Sequence, residues 1–287
     1  MFYHYTTVKS LCDMLNTCHK EGNNALTFWA SSAYTMNDPT EMGYAYYQIM
    51  DRIKAYEERY NISNEKRLSE YMADVKRGRN ANFDENFYIS HIYSACKTPY
   101  VISFSEYSDD MPMWQMYGDK GKGVCLGFEE PKVKNSQWDF FSDVIYIGKE
   151  SEDSITSRLI DICIENECKS CYSDLQSIVD ADKIADRKVE TWGTLCALFG
   201  GFLKNGSYYY EHEHRFLHIA KDANEVKYRH RNGIIVPYVE IPINGLKEIT
   251  IGPCIDYNIM CQNLKQQTLS CMLNVEINQS SIPYRFL

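Results

Sequence analysis

The stretch Tyr209-Tyr210-Glu211-His212-Glu213-His214-Arg215 alternates charged and aromatic side chains and reads as a strand. At a rise of about 3.3 Å per residue, Glu211 and Glu213 would stand about 6.6 Å apart on one face, with Arg215 next along it. Tyr210, His212 and His214 would face the other way. Two carboxylates and a guanidinium are costly to bury unless they are paired, which leaves two readings: a row lining a cleft, or a ladder of salt bridges to a neighbouring strand. In a cleft, one carboxylate could stabilise positive charge developing on a sugar carbon while the other takes a proton from an incoming nucleophile. Arg215 would then hold a phosphate or tie down one of the acids.

Four other places carry side chains suited to a polar ligand. His4, between Tyr3 and Tyr5, could make one directed hydrogen bond through a neutral imidazole. The run Asn37-Asp38-Pro39-Thr40-Glu41 follows a strand bearing Trp29; it can be a plain Asx-type turn or a loop that orients a ligand. Trp114 and Tyr117, three apart, would share one face of a helical turn, either packing in the core or stacking on a planar ring. Near the end, Ser281-Ile282-Pro283-Tyr284-Arg285 places a further guanidinium, Arg285, on a rigid turn.

The elements that must position these residues follow from periodicity. A strand over residues 1–5 leads to a helix capped by Thr6 or Thr7, with Val8, Leu11, Cys12, Leu15 and Cys18 at helical spacing. Leu26 to Ala30 predicts a strand, and residues 43–76 predict two helices divided near Asn61, with another short helix ending near Cys96. Strands are expected at 100–105, 124–128 and 144–147, and mostly helix from Asp153 to Asn205. The remainder reads as strands at 207–219, 234–241 and 248–251, a helix from Tyr257 to Met272 and a last strand at 275–277. The expected fold class is α+β: one domain over 1–287, with a central mixed or mostly antiparallel sheet and helical insertions at about 43–96 and 150–205.

Composition bounds the function. A chain of 287 residues, 44% hydrophobic and 14% aromatic, can bury a large core. Its formal charge of −9 argues against non-specific holding of nucleic-acid backbones. No window approaches eighteen apolar residues, so no membrane partner is expected. The eleven cysteines, with no basic and apolar leader before them, point to reduced thiols and a cytoplasmic setting. Cys168 and Cys171 have the two-residue gap of a zinc pair, but a second pair at matching spacing is missing, so no metal is expected.

The order of short motifs resembles a bacterial family known as domain of unknown function 2971. The matching pieces include Tyr3-His4-Tyr5-Thr6, Trp29-Ala30-Ser31-Ser32, Asn37-Asp38-Pro39, Ile102-Ser103-Phe104-Ser105, Trp114-Gln115-Met116-Tyr117-Gly118, Gly123-Val124-Cys125-Leu126-Gly127-Phe128, Glu211-His212-Glu213-His214-Arg215, Ile251-Gly252-Pro253 and Ile282-Pro283-Tyr284-Arg285. More distantly the chain is similar to the ADP-ribosyltransferase superfamily. That likeness implies a split sheet and NAD as substrate. His4 and Thr6 would hold the nicotinamide riboside, Ser103 or Ser105 would supply the middle motif, and Glu213 would be the catalytic glutamate, with Glu211 activating the acceptor. Tyr5 departs from the pattern, since a glycine is common there.

The resemblance therefore implies an NAD-consuming transferase, a bacterial toxin or anti-phage effector, acting on a protein or nucleic-acid acceptor. Two rivals remain open. One is a metal-dependent nuclease or phosphoesterase built on Glu211, Glu213 and His4. The other is a non-catalytic module that holds a nucleotide or modified base through Trp29, Trp114 and Arg215.

Overall fold

The computed structural model describes residues 1–21, 25–36, 41–78, 98–132, 139–148, 155–220, 222–231 and 233–284. Chain order gives β1 (Phe2–Thr6), α1 (Val8–Glu21), β2 (Leu26–Ser32), α2 (Glu41–Arg59), α3 (Leu68–Gly78), β3 (Pro99–Ser105), α4 (Met111–Met116) and β4 (Val124–Lys132). There follow β5 (Asp139–Asp143), β6 (Ile145–Ile147), α5 (Ile155–Ser177), α6 (Ala181–Phe199), β7 (Leu203–Asn205) and β8 (Glu213–Ile219). The chain continues through β9 (Lys227–Arg231), β10 (Ile234–Ile251), α7 (Tyr257–Ser270) and β11 (Glu276–Gln279). The expected α+β class and the mostly antiparallel sheet are what the chain forms. The short helix expected to end near Cys96 lies outside the described residues, as do Asn37, Asp38 and Arg285.

The main sheet runs β1-β4-β10-β2-β3-β8-β5 and closes a ring, because β1 also meets β3 at Tyr3 and Ser105. β10 makes the closure possible. It pairs with β2 through Tyr238–Ile243 and then with β4 from Asn244 to Ile251, with register shifts around Leu246 and a positive φ of 98° at Gly245. Such bulges bend a strand and raise its twist, so one long strand serves where two separate ones are expected from the sequence. β3 is shared unevenly. β8 covers one of its edges from Pro99 to Ser105, whereas the other edge meets β2 at Tyr100 and Val101 and β1 only at Ser105.

Two cores result. Inside the ring, Leu11, Leu15 and Cys18 of α1 and Leu264 of α7 pack on Phe28, Phe104, Leu126, Phe128 and Ile249. The second core lies among α2, α3, α5 and α6, where Ile49, Ile53, Met72, Ile164, Trp192 and Leu195 meet. The described parts of the two stretches expected to be helical insertions share one helical layer. A buried carboxylate, Glu57, ties it together by accepting from Ser69 N at 3.0 Å and from Tyr172 Oη at 2.5 Å. Cys168 and Cys171 are buried in this layer, and burial raises both thiols. No helix among the described residues is long and apolar enough to cross a membrane.

The glycine motifs hold the ring closed where three backbones converge. Gly123 N donates to Gly118 O at 2.8 Å, and Gly252 N donates to Gly123 O at 3.0 Å. A Cβ on Gly123 would stand 2.3 Å from Thr6 O and 2.8 Å from the Gly118 carbonyl, all of it backbone that cannot swing aside. Gly123→Ala is therefore expected to lose about 1–3 kcal/mol in urea unfolding. At Gly127 the group in the way is mostly the flexible Glu248 side chain, 2.6 Å off, so Gly127→Ala should lose less.

Candidate functional site

The segment after α6 does not run straight into a strand. Gly206–Glu211 coils into a 3-10 turn capped by Asn205, whose Oδ1 accepts from Ser207 N at 2.9 Å. His212 then adopts a left-handed conformation (φ 41°, ψ 56°), and β8 begins only at Glu213. Histidine tolerates that region better than most non-glycine residues. Glu211 and Glu213 therefore do not share a strand face by alternation, which corrects the extended reading of 207–219.

They converge by another route. Lys204, on β7, is 3% exposed, and its Nζ donates to Glu211 Oε2 at 2.5 Å and to Glu213 Oε2 at 2.9 Å. Arg215, fully buried, holds Glu213 with Nε on Oε1 at 2.7 Å and Nη2 on Oε2 at 3.0 Å, and its Nη1 donates to Gly201 O at 2.7 Å. Tyr117 Oη donates to Glu211 Oε1 at 2.7 Å. Two carboxylates thus meet two cations in a dry setting, where each pairing is strong and each orphan would be costly. Ser105 Oγ fixes the turn by donating to Glu211 O at 2.9 Å, and Tyr146 Oη accepts from Glu213 N at 2.8 Å.

The environment separates the two acids. Burial raises Glu211, and the nearby Glu213 charge adds to this against the pull of Lys204. Burial acts the same way on Glu213, but Arg215 and Lys204 overcome it, with help from the Ser103 hydroxyl, and hold its carboxyl well below the usual range. Glu213 is a fixed anion, while Glu211 has the higher proton affinity.

Across the opening, His4 Nδ1 lies 2.8 Å from Ser103 O, in the part of the β3 edge between its β2 and β1 pairings. Burial lowers this imidazole, so it is neutral near pH 7. A carbonyl only accepts, so Nδ1 carries the proton and Nε2 is left as an acceptor. The ring is fixed edge-on by Phe28, 5.0 Å away between centroids.

One cavity of about 630 Å³ is lined by His4, Tyr5, Thr6, Trp29, Ser103, Ser105, Tyr117, Lys204, Glu211 and Glu213. That volume is in the range of small-molecule sites. Two expected members are not in its wall. Trp114 is fully buried, packs edge-on to Tyr5 at 4.9 Å, and donates Nε1 to Asp109 at 2.7 Å, so it is a core residue under the site. Arg215 lies behind Glu213. Tyr5 lines the cavity with its hydroxyl already committed, donating to Tyr107 O at 2.9 Å and accepting from Asp110 N at 3.0 Å.

Residues 113–216 match the model of the family DUF2971, described as a protein of unknown function. The matched segment carries Tyr117, Lys204, Glu211, Glu213 and Arg215, so it contains the whole charged cluster. His4 and Trp29 come from outside it. No curated protein and no solved structure matches the chain at a significant level. Among the DUF2971 residues, Lys204 is not signalled by the sequence, since it sits where helix is expected and its only local mark is an isolated charge after Gly-Gly-Phe-Leu. Arg229 and Arg231, which also line the cavity, lie on β9, a polar edge strand without a clean apolar alternation.

The geometry makes the two acids unequal in folding. Removing Glu213 strands Arg215 in the interior, so Glu213→Gln is expected to lose about 3–5 kcal/mol in chemical denaturation. Glu211→Gln keeps an amide oxygen for Tyr117 and Lys204 and should lose clearly less. Equal losses would show that Arg215 does not depend on Glu213.

Proposed function

We propose that the protein is an NAD-consuming enzyme of ADP-ribosyltransferase type, cleaving the nicotinamide glycosidic bond and passing the ribosyl carbon to an acceptor. What supports this is one observation: two carboxylates with proton affinities pushed apart line the same cavity as a neutral histidine. Sites that need one persistent anion and one proton acceptor use this arrangement.

In this reading the C1′–N bond breaks with its electron pair leaving on neutral nicotinamide. Glu213 supplies the fixed negative charge toward the oxocarbenium-like ribose, moderated by Lys204 and Arg215. A lone pair of the acceptor then forms the new bond at C1′, and the acceptor's proton goes to the Glu211 carboxylate. The bare Nε2 of His4 accepts from a ribose hydroxyl or the carboxamide, and Tyr117 and Trp29 offer aromatic faces for the ring systems. In this reading the split of the sheet would lie at the β3 edge, where β2 pairs at Tyr100 and Val101, β1 pairs at Ser105, and His4 reaches Ser103 between them. The acceptor's identity and a toxin or phage-defence role rest on the superfamily likeness alone.

A metal-dependent nuclease is the weaker reading. The carboxylate oxygens a divalent ion would need already accept from Lys204, Arg215 and Tyr117. The test is nicotinamide release from NAD, with and without a cell extract as acceptor source. Glu211→Gln is expected to reduce turnover by about 10²-fold or more while the fold is retained, and a chelator should have no effect. Undiminished release by Glu211→Gln, or activity abolished by the chelator, contradicts the proposal.

A further inference from the structure

The alternation of β2 sends Leu26, Phe28 and Ala30 into the ring core and leaves Thr27, Trp29 and Ser31 on the opposite face. All three of those line the cavity. The β10 register sets Tyr238 beside Ser31, and β9 lays Arg229 over the same face. The Arg229 guanidinium carbon is 5.3 Å from the Trp29 ring centroid and 5.6 Å from that of Tyr238, while Nη2 donates to Ser31 Oγ at 2.8 Å.

This cation is incompletely satisfied. Its Nε is buried and has no hydrogen-bond partner, and no carboxylate pairs with it among the described residues. Glu240, two residues beyond Tyr238 on β10, is taken by Lys227 at 2.6 Å. Burial lowers Arg229, and the nearby Arg231 charge adds to this against a smaller opposing effect of Tyr238. Also in the cavity wall, Thr27 is 8% exposed and its Oγ1 is buried without a partner. Native proteins seldom leave such groups unpaired, least of all a guanidinium with a preset fork.

We infer that Arg229, with Ser31, forms an anion subsite that takes a phosphoryl group, so the ligand of this cavity is a phosphorylated nucleotide and not a free nucleoside or neutral sugar. Trp29 and Tyr238 fix the plane of the guanidinium, leaving Nη1, which is not buried and makes no hydrogen bond among the described residues, for a phosphate oxygen and the Ser31 hydroxyl for a second hydrogen bond. Arg231 adds to the attraction from the exposed side. The inference deepens the reading of the cavity as a nucleotide site, yet it does not depend on which bond is broken there.

Calorimetric titration of the full chain with ADP, adenosine and a short single-stranded oligonucleotide tests it. ADP is expected to bind at least about 10-fold more tightly than adenosine, the difference shrinking with added salt. Arg229→Gln should weaken ADP by about 10- to 100-fold and leave adenosine unchanged, with Arg229→Lys in between. Equal binding of ADP and adenosine, ADP binding indifferent to Arg229→Gln in a folded protein, or an oligonucleotide that outcompetes ADP would each overturn the inference. ADP binding with the expected Arg229 dependence but no NAD cleavage would retain this subsite and remove the transfer reaction.

Discussion

The constraint on which the site depends is that four charged groups, Lys204, Glu211, Glu213 and Arg215, are desolvated together. None could be buried alone at tolerable cost, and each has its partner within 3.0 Å. That requirement decides the local path of the chain. β7 must bring Lys204 beneath the turn, the 3-10 segment must point Glu211 back at it, and His212 must take a left-handed conformation so that β8 can carry Glu213 and Arg215 onward. The β8 pairing with β3 then sets Ser105 opposite Glu213 and Ser103 opposite Arg215, which ties the cluster to the strand that His4 addresses.

Chemistry follows from the asymmetry of that pairing. Glu213 faces two cations and stays ionised; Glu211 shares one cation, receives a phenol hydrogen bond and sits beside another anion, so it holds a proton more readily. The cleft and the salt-bridge network, which the sequence presents as alternatives, coexist: the acids are paired on one side and line a cavity on the other. The ring of strands supplies the rigid frame, and the helical layer contributes Lys204 from the end of what reads as an insertion.

Much of this was legible in the sequence. The helices over α1, α2, α3 and α7, the strands at β1 to β4, and the attention drawn to His4, Glu211 and Glu213 all follow from period and residue type. The glycine motifs were visible too, although their reason, backbones in contact at Gly118, Gly123 and Gly252, is a tertiary fact. The failures have physical causes. An alternating polar pattern at 209–215 satisfies the strand template, but burying Glu211 on Lys204 outweighs extended propensity, and a helical turn forms. Trp114 and Tyr117 share a helix face in principle, yet α4 is so short that one enters the core and the other reaches Glu211. β9 is stabilised by pairing with β10 rather than by an apolar face, so its Arg229 carried no periodic signal.

The most direct measurement is a carbon-detected NMR titration of the Glu211 and Glu213 carboxyls. Two separate transitions are expected, Glu213 remaining ionised far into acid and Glu211 titrating above the ordinary carboxylate value of 4.5. If both resonances moved together at that ordinary value, the carboxylates would be solvated and equivalent, and the buried cluster that organises this site would not exist.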